Sequence, residues 1–311
     1  MKIPLIVVAG PTASGKTKLG VALAKHFDGE VISADSMQIY KTMDVATAKP
    51  TPDEMEGIPH HLIDFLPPEE AFSLAQYVTL AEKAIENIRS RGKIPVIVGG
   101  TGLYIHTLID HISLSESGED PALRAELTAL AEEKGNAYLL DMLRELDPVT
   151  AETLHENNLP RVIRAIEVTK STGIPFSKHL EQSRKTESPY APCIIGLTAA
   201  DRQKLYDRIG LRVDLMLKNG LLKEAEEAFR TEQKTAAQAI GCKELFPYFR
   251  GEKTLEECVE HLKQSTRRYA KRQLTWFRRD ERISWICIDE EKDFAEILKK
   301  SIIIVEKSGI L

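Results

Sequence analysis

The sequence is poor in the features that mark several large classes of protein. Its 311 residues include four cysteines, and aromatic side chains make up only 6% of the chain. Cys193, Cys242, Cys258 and Cys287 form neither a CxxC pair nor a zinc-binding spacing, which predicts free thiols in a reducing, cytoplasmic location. No apolar run approaches the ~20 residues of a membrane span, and the apolar N-terminus is too short for a signal peptide. We therefore expect no membrane association.

Charge of one sign is also not in large excess. The 42 basic and 47 acidic residues leave a net charge of -5, which argues against a general affinity for nucleic acid. Any such binding requires a local basic patch. The chain is long enough for one large domain with a substantial insertion.

One motif stands out against this background. Residues 3–9 form a short β-like apolar run, and residues 18–27 show apolar side chains at helical spacing. Between them lies a match to a phosphate-binding loop, in which glycines turn the N–H groups inward, Lys16 adds a charge and the Thr17 hydroxyl can bind magnesium. The predicted phosphate-binding residues are Gly10, Pro11, Thr12, Ala13, Ser14, Gly15, Lys16 and Thr17. The alternative is a Gly-rich turn between a strand and a helix.

Short β-like runs alternate with helical segments along the chain, and this rhythm predicts an α/β fold with a parallel sheet flanked by helices. The runs are residues 3–9, 30–34, 94–98, 193–198 and 283–288. The third and fourth are too far apart for a simple crossover, and residues 121–178 are helical in pattern. We therefore assign residues 1–112 and 190–311 to a catalytic core and 113–189 to an all-helical insertion domain.

Ligands of parallel sheets bind beyond the carboxyl ends of the strands, where two polar side chains are expected here. Asp35 follows the second run and could accept a proton or hold magnesium through water, or it could merely cap the next turn. Thr101 follows the third run among Gly99, Gly100 and Gly102. These glycines permit close approach of a ligand, although a purely structural turn explains them equally well.

Three groups of basic residues are candidates for binding phosphate. Arg208 and Arg212 lie one helical turn apart, which suits either a second grip on phosphate or an exposed salt-bridged face. Arg161 and Arg164 form a similar pair in the insertion.

The third group lies in residues 261–282, where Leu262, Tyr269 and Trp276 repeat at sevenfold spacing and most of the cations face the other way. A basic helix face of this kind can bind an RNA backbone, or it can be an ordinary solvated face. The residues most suited to RNA contact are Arg268, Lys271 and Arg272.

Motifs spread over essentially the whole chain resemble those of the bacterial tRNA dimethylallyltransferases, also called tRNA isopentenyltransferases. They are GPTASGKT from Gly10, DSMQIY from Asp35, TAKP from Thr47, PHHLID from Pro59, GGTGLY from Gly99, PRVIRAIEV from Pro160 and RQLTWFR from Arg272. The resemblance implies a P-loop kinase-like fold with a helical insertion. It also implies transfer of a dimethylallyl group from dimethylallyl diphosphate to the exocyclic amine of the adenosine 3′ of the anticodon.

The resemblance further implies roles for individual residues. Asp35 is the general base, Thr101 lies where adenine meets the allyl donor, and Lys16 and Thr17 bind diphosphate and Mg2+. The residues implied to contact the tRNA anticodon stem-loop or its flipped base are Asp35, Ser36, Met37, Gln38, Thr101, Arg124, Leu159, Pro160, Arg161, Val162 and Ile163. We expect a monomer. One departure is Cys242, where the family has an aromatic residue, which leaves local packing or RNA stacking open at this position.

Two other classes remain compatible with the residues alone. A small-molecule kinase would share the loop and the sheet, with the insertion as a lid over ATP, but would not need the basic helix face. A nucleotide-gated RNA-binding protein would share the basic face but would leave the DSMQIY segment without a role.

Overall fold

The computed structural model describes residues 2–113, 120–183, 186–231 and 239–311. The chain divides into two compact units. The larger comprises Met1–Ile109 and Pro189–Leu311, and the smaller is Asp110–Ser188.

The larger unit is built on a parallel sheet, which confirms the predicted α/β class. Its strands within the described residues are β1 Ile3–Ala9, β2 Gly29–Ala34, β3 His60–His61, β4 Ile94–Gly99, β5 Tyr190–Thr198 and β6 Ile283–Cys287. Their spatial order is β3-β2-β4-β1-β5-β6, and every pair is parallel. Strand β3 was not predicted, because two residues are too few to show a periodic pattern. His60 and His61 therefore belong to the sheet edge.

Helices connect these strands. The first part of the chain contains α1 Lys16–His26, α2 Pro52–Met55, α3 Leu74–Ser90 and α4 Gly102–Ile109. The smaller unit contains α5 Pro121–Lys134, α6 Asn136–Leu146, α7 Pro148–Thr153, α8 Leu159–Thr172 and α9 Phe176–Ser183. The larger unit resumes with α10 Arg202–Lys218, α11 Leu221–Arg230, α12 Phe246–Phe249, α13 Leu255–Phe277 and α14 Phe294–Lys307. None of the described helices combines the length and apolarity that a bilayer crossing requires.

The sheet is buried on both faces, which explains why its strands are continuous apolar runs. Along β1, Leu5 and Val7 pack against residues of α3 and α4 on one face. Ile6 and Val8 pack against α1 and α14 on the other. Alternate side chains of one strand thus hold helices on opposite sides of the sheet.

The central strands end level with one another. Ala9 at the end of β1 is in register with Gly99 of β4 and Gly196 of β5, and Gly99 is also paired with Ala34 of β2. A Cβ atom on Gly99 would lie 2.1 Å from the carbonyl oxygen of Ala34, so only glycine fits there. The loops that follow these strands therefore begin side by side.

The basic segment is helical over a shorter range than its pattern suggested. Helix α13 ends at Phe277. Arg278, Arg279 and Arg282 lie beyond this end, so they do not belong to either face of the helix. The fully buried side also differs from the predicted stripe. Its residues are Cys258, Leu262, Ala270, Gln273 and Phe277, whereas Tyr269 and Trp276 are half-buried.

The smaller unit has its own apolar core, within the segment for which an all-helical insertion was predicted. A buried carboxylate organises it. Glu167 on α8 is fully buried and binds Arg124 at 2.8 Å and Arg164 at 2.6 Å, and it also accepts the backbone N–H of Asp120. Burying a charge is costly unless it is paired in this way.

A second buried carboxylate lies at the start of β2 in the larger unit. Glu30 is 1% exposed, and the Arg91 guanidinium donates to both of its oxygens. His61 lies 2.8 Å and Lys93 3.5 Å from the same carboxylate. Hydrogen bonding by Arg91, opposed by burial and reinforced by His61, lowers the pKa of Glu30 to about 2.

This pairing predicts a specific acid sensitivity. The folded-state pKa of Glu30 is below its ordinary value of 4.5, so its contribution to stability is complete above pH 4.5 and is lost as the pH falls toward 2. Glu30→Gln should lower stability at neutral pH and flatten the pH dependence in that window, as measured by urea unfolding at several pH values. Glu69→Gln, at an exposed position, is the control. Parallel wild-type and Glu30→Gln curves would contradict the assignment.

Candidate active site

The loop between β1 and α1 has the backbone that its glycines predicted. Gly10 and Gly15 have φ of 147° and 92°, in the region that glycine adopts without strain, and a Cβ on Gly10 would lie 2.5 Å from the carbonyl oxygen of Leu197. Ser14 closes the turn by donating its hydroxyl to the Pro11 carbonyl at 2.8 Å. No side chain caps the N-terminus of α1, so its first N–H groups remain available to an anion.

Three cations lie around this loop. The ammonium of Lys16 donates to the Pro11 carbonyl at 2.7 Å, and Nε of Arg208 donates to the Ala13 carbonyl at 2.8 Å. Arg212 lies one turn further along α10. The structure therefore brings both arginines of the predicted pair to the loop rather than leaving them on a salt-bridged outer face.

The cations influence one another electrostatically. Burial and the positive charge of Arg212 lower the pKa of Lys16 to about 7, although Asp35 opposes the shift. Burial likewise lowers the pKa of Arg212, again against the effect of Asp35. Lys16 and Arg212 thus both interact with Asp35, and Arg212 also interacts with Glu54, which leaves the three cations around the loop only partly balanced.

Asp35 has different surroundings at its two carboxylate oxygens. Oδ1 accepts the backbone N–H groups of Met37 at 2.9 Å and Gln38 at 3.3 Å, so the capping interpretation is correct for this oxygen. Among the described residues, none donates a hydrogen bond to Oδ2. The side chain is therefore held in place by one oxygen and is able to accept a proton with the other.

Thr101 lies beside this turn. Its Oγ1 accepts the backbone N–H of Ser36 at 3.1 Å, and its own N–H donates to the Ala34 carbonyl at 3.1 Å. Thr101 thus links the loop after β4 to the residues on either side of Asp35, Ala34 and Ser36. Thr101 therefore lies beside the turn that Asp35 begins, and the functional roles of the two residues stay predictions.

The residues after Asp35 are half-buried, and one of them has a structural function. The Gln38 amide donates to the carbonyls of Thr47 and Ala48, both at 3.2 Å, and so binds the DSMQIY segment to the TAKP segment. Lys49 in the second segment pairs with Asp44 and Asp64, both at 2.6 Å. Met37 packs against the hydrophobic cluster that contains Ile39 and Tyr40.

Two residues of the site were missed in the sequence. Gln273 on α13 is 6% exposed, and its Oε1 accepts the Thr12 N–H of the phosphate loop at 2.9 Å. The hydroxyl of Tyr269 lies near Thr101 and Gln273, while burial and the charge of Asp35 raise its pKa. The sequence signal that could have indicated Gln273 is the RQLTWFR motif. In this motif Gln273 is an uncharged polar residue between the basic and the apolar faces of the predicted helix.

The GGTGLY glycines prove to be packing residues. A Cβ on Gly100 would lie 2.2 Å from Nε2 of Gln273, and one on Gly102 would lie 2.2 Å from Cδ1 of Trp276. Both glycines thus allow α13 to approach the loop after β4. Their structural role is this packing and not the tight turn considered for them, because neither glycine has a positive φ.

The exposed cations of α13 are fewer than its sequence suggests. Arg268, Lys271 and Arg272 are exposed. By contrast, Lys263 pairs with Asp214 at 2.8 Å, and Arg267 is half-buried.

The candidate RNA residues of the smaller unit differ in exposure. Pro160 and Arg161 are exposed near the start of α8, and Leu159 is half-buried. Val162 and Ile163 pack in the core, so their side chains support the helix rather than present a surface.

Cys242 is also a core residue. It is fully buried in the cluster that contains Leu221 and Leu245, and burial raises its pKa to about 12. This position therefore contributes to packing and presents no surface for RNA stacking.

The fold and the site together define a P-loop protein with a parallel sheet, whose cations surround a phosphate loop and whose carboxylate lies at the neighbouring strand end. The sequence model of the IPP transferase family matches residues 38–280. The chain belongs to this family, and it is a transferase, as predicted.

Individual relatives agree with this membership. A tRNA dimethylallyltransferase of Acetivibrio thermocellus is 52% identical over 298 residues and covers 95% of each chain. The structure of a Bacillus halodurans tRNA isopentenylpyrophosphate transferase is 44% identical, with a TM-score of 0.73, and covers 99% of this chain and 98% of that one. A eukaryotic dimethylallyltransferase, in crystallographic snapshots of its action on tRNA, is 31% identical with a TM-score of 0.82, and the match covers 97% and 79% respectively. These similarities confirm the P-loop kinase-like fold and the family that the motifs resembled.

The lowered pKa of Lys16 predicts that diphosphate binding takes up a proton. Lys16 titrates at about 7 in the free protein, and a bound anion raises this value, so affinity should fall as the pH rises above 7. Calorimetry of inorganic diphosphate at pH 8, in buffers of different ionisation enthalpy, would measure the uptake. Lys16→Met should bind diphosphate more weakly. It should also take up fewer protons on binding, because the proton gained by Lys16 is lost. Equal proton uptake by both proteins would refute the prediction.

Proposed function

We propose that the protein transfers a dimethylallyl group from dimethylallyl diphosphate to the N6 amine of the adenosine 3′ of the anticodon in tRNAs, releasing diphosphate. The observation that carries the proposal is that a cationic phosphate loop and the carboxylate of Asp35 both lie at the carboxyl ends of the central strands. Only one oxygen of this carboxylate is bound to the turn. Relatives named for this reaction, which match nearly the whole chain, support the substrate assignment.

The phosphate loop would bind the diphosphate and stabilise it as it leaves. Loop amides and the N-terminus of α1 point at the developing negative charge, and Lys16, Arg208 and Arg212 neutralise it. Because the groups are already in place, little reorganisation is needed during the reaction. The predicted binding residues from Gly10 to Thr17 all belong to this element.

Asp35 would serve as the general base. The adenine nitrogen attacks the allylic carbon, the bond from that carbon to the diphosphate oxygen breaks, and a proton of the amine passes to Oδ2 of Asp35. Oδ1 remains bound to the turn, which fixes the direction of the acceptor. Thr101 lies next to this carboxylate, where it would position the amine.

The site also fits Mg2+. Among the described residues, none accepts a hydrogen bond from the Thr17 hydroxyl, and no cluster of three His, Cys, Asp or Glu side chains forms a metal cage. This donor set suits magnesium, which commonly takes few protein ligands and completes its shell with water and phosphate oxygens. Thr17 would hold the ion, and the ion would supply charge neutralisation for the diphosphate.

RNA binding would use the exposed cations of α13 and the start of α8. Arg268, Lys271 and Arg272 would contact phosphates, and the target adenine would leave its stack to enter the site. The further residues proposed for the anticodon stem-loop or the flipped base are Ser36, Met37, Gln38, Arg124, Leu159, Pro160 and Arg161. Val162 and Ile163 would support this surface from the core. A monomeric state and a cytoplasmic location remain predictions.

The reaction is tested by nucleoside mass spectrometry after incubation with Mg2+, dimethylallyl diphosphate and unmodified tRNA. We expect one C5H8 unit on adenosine. Asp35→Asn keeps an oxygen for the turn but removes the base, so it should lose about 10²- to 10⁴-fold in kcat and retain tRNA affinity. Asp35→Ala removes both and should also disturb the turn.

The comparison of the two variants separates the roles of Asp35. Near-wild-type turnover by Asp35→Asn would show that Asp35 acts only as a cap. Phosphate transfer from ATP to a small acceptor, without any mass gain on RNA, would replace the proposed function with a kinase.

The cations of α13 predict a salt-dependent contact. Arg268→Ala, Lys271→Ala and Arg272→Ala should each weaken tRNA binding uniformly across sequences and reduce the slope of log K against log salt by about one per lost phosphate contact. Filter binding at several salt concentrations measures the slope. Lys307→Ala, at an exposed position on α14, is the matched control. Slopes equal to that of the control would exclude this face from the RNA interface.

A further inference from the structure

One side chain connects the two loops of the site. The Gln273 amide accepts the Thr12 N–H of the phosphate loop at 2.9 Å and donates its own N–H to the Gly100 carbonyl at 3.0 Å. Both ends of the amide are therefore engaged, and each partner is a backbone group of a different loop. The side chain is almost fully buried, so water does not compete freely for these bonds.

The loop after β4 is shaped to receive this amide. A Cβ on Gly100 would lie 2.2 Å from Nε2 of Gln273, a distance that real Cβ contacts do not show. Gly100 does not need glycine for its backbone conformation, because its φ is not positive. A side chain at position 100 would therefore have to displace the amide, whereas the turn itself does not require glycine.

Gln273 lies on the same helix, α13, as the residues proposed to contact RNA. Its neighbours Lys271 and Arg272 are exposed cations, whereas Tyr269, one turn earlier, is half-buried and lies near Thr101. The same helix thus carries the proposed RNA contacts on its outer side and the loop contacts on its inner side.

We infer that Gln273 is a positioning residue, which fixes the separation between the phosphate loop and the loop that carries Thr101. The inference rests on the proposed function for its kinetic consequences. The leaving diphosphate is held by one loop and the amine is positioned at the other, so their separation determines how well the reacting atoms align. Small errors of alignment cost large factors in rate, about 100-fold for a displacement of ~1 Å.

Gln273→Met tests the inference because it preserves length and volume while removing both hydrogen bonds. We expect kcat to fall about 10- to 100-fold with little change in KM for tRNA. We also expect inorganic diphosphate to bind about tenfold more weakly, because the loop is no longer pre-organised. Gln264→Met makes the same substitution at an exposed position of α13 and should behave like the wild type.

A double-mutant cycle tests the contact between Gly100 and the Gln273 amide directly. Gly100→Ala places a methyl group where the amide lies and should reproduce the loss of turnover. Gln273→Ala creates room for that methyl group, so the double variant should be no slower than Gln273→Ala alone. Additive losses would show that the two positions act independently and would overturn the inference.

The outcomes distinguish this inference from the proposed function. If the wild type modifies tRNA but Gln273→Met keeps a wild-type kcat or a wild-type diphosphate affinity, the positioning role is wrong and the function stands. If the wild type transfers no dimethylallyl group, the function is wrong, and calorimetry of diphosphate alone decides the inference. Weaker binding by Gln273→Met then supports it, and unchanged binding overturns it.

Discussion

The site depends on the level at which the central strands end. Ala9, Ala34 and Gly99 occupy matched positions, and the smallness of these residues allows the following loops to converge. Once the loops are adjacent, Lys16, Asp35 and Thr101 need only short local interactions to reach their positions. A bulky residue at any of these strand ends would separate the loops before their side chains could act together.

The charges of the site are similarly interdependent. Lys16 and Arg212 both interact with the carboxylate of Asp35, which is itself bound to the turn by one oxygen, and Arg212 also interacts with Glu54. The cations around the phosphate loop are therefore only partly balanced by carboxylates. A local cluster of cations attracts anions even in a protein of net negative charge.

The parts of the structure that could be predicted from the sequence are formed by residues close together along the chain. The phosphate loop is contained within eight consecutive residues, and the strands and the helical segment leave periodic patterns over short windows. Asp35 and Thr101 followed from the geometry of parallel sheets. Gln273 could not be found in this way, because it bonds to Thr12 across 261 positions and its importance depends on the packing of α13. Strand β3 was missed because two residues carry no pattern, and the burial of Val162 became visible only with the helical core.

The fit between Gly100 and Gln273 has an evolutionary consequence. Neither residue is free to drift alone, because a side chain at position 100 would meet the amide and a shorter residue at position 273 would leave two backbone groups without partners. Natural variation at these positions should therefore be correlated. Any lineage that acquires alanine at position 100 is expected to have changed position 273 as well, and to have found another way of joining its two loops.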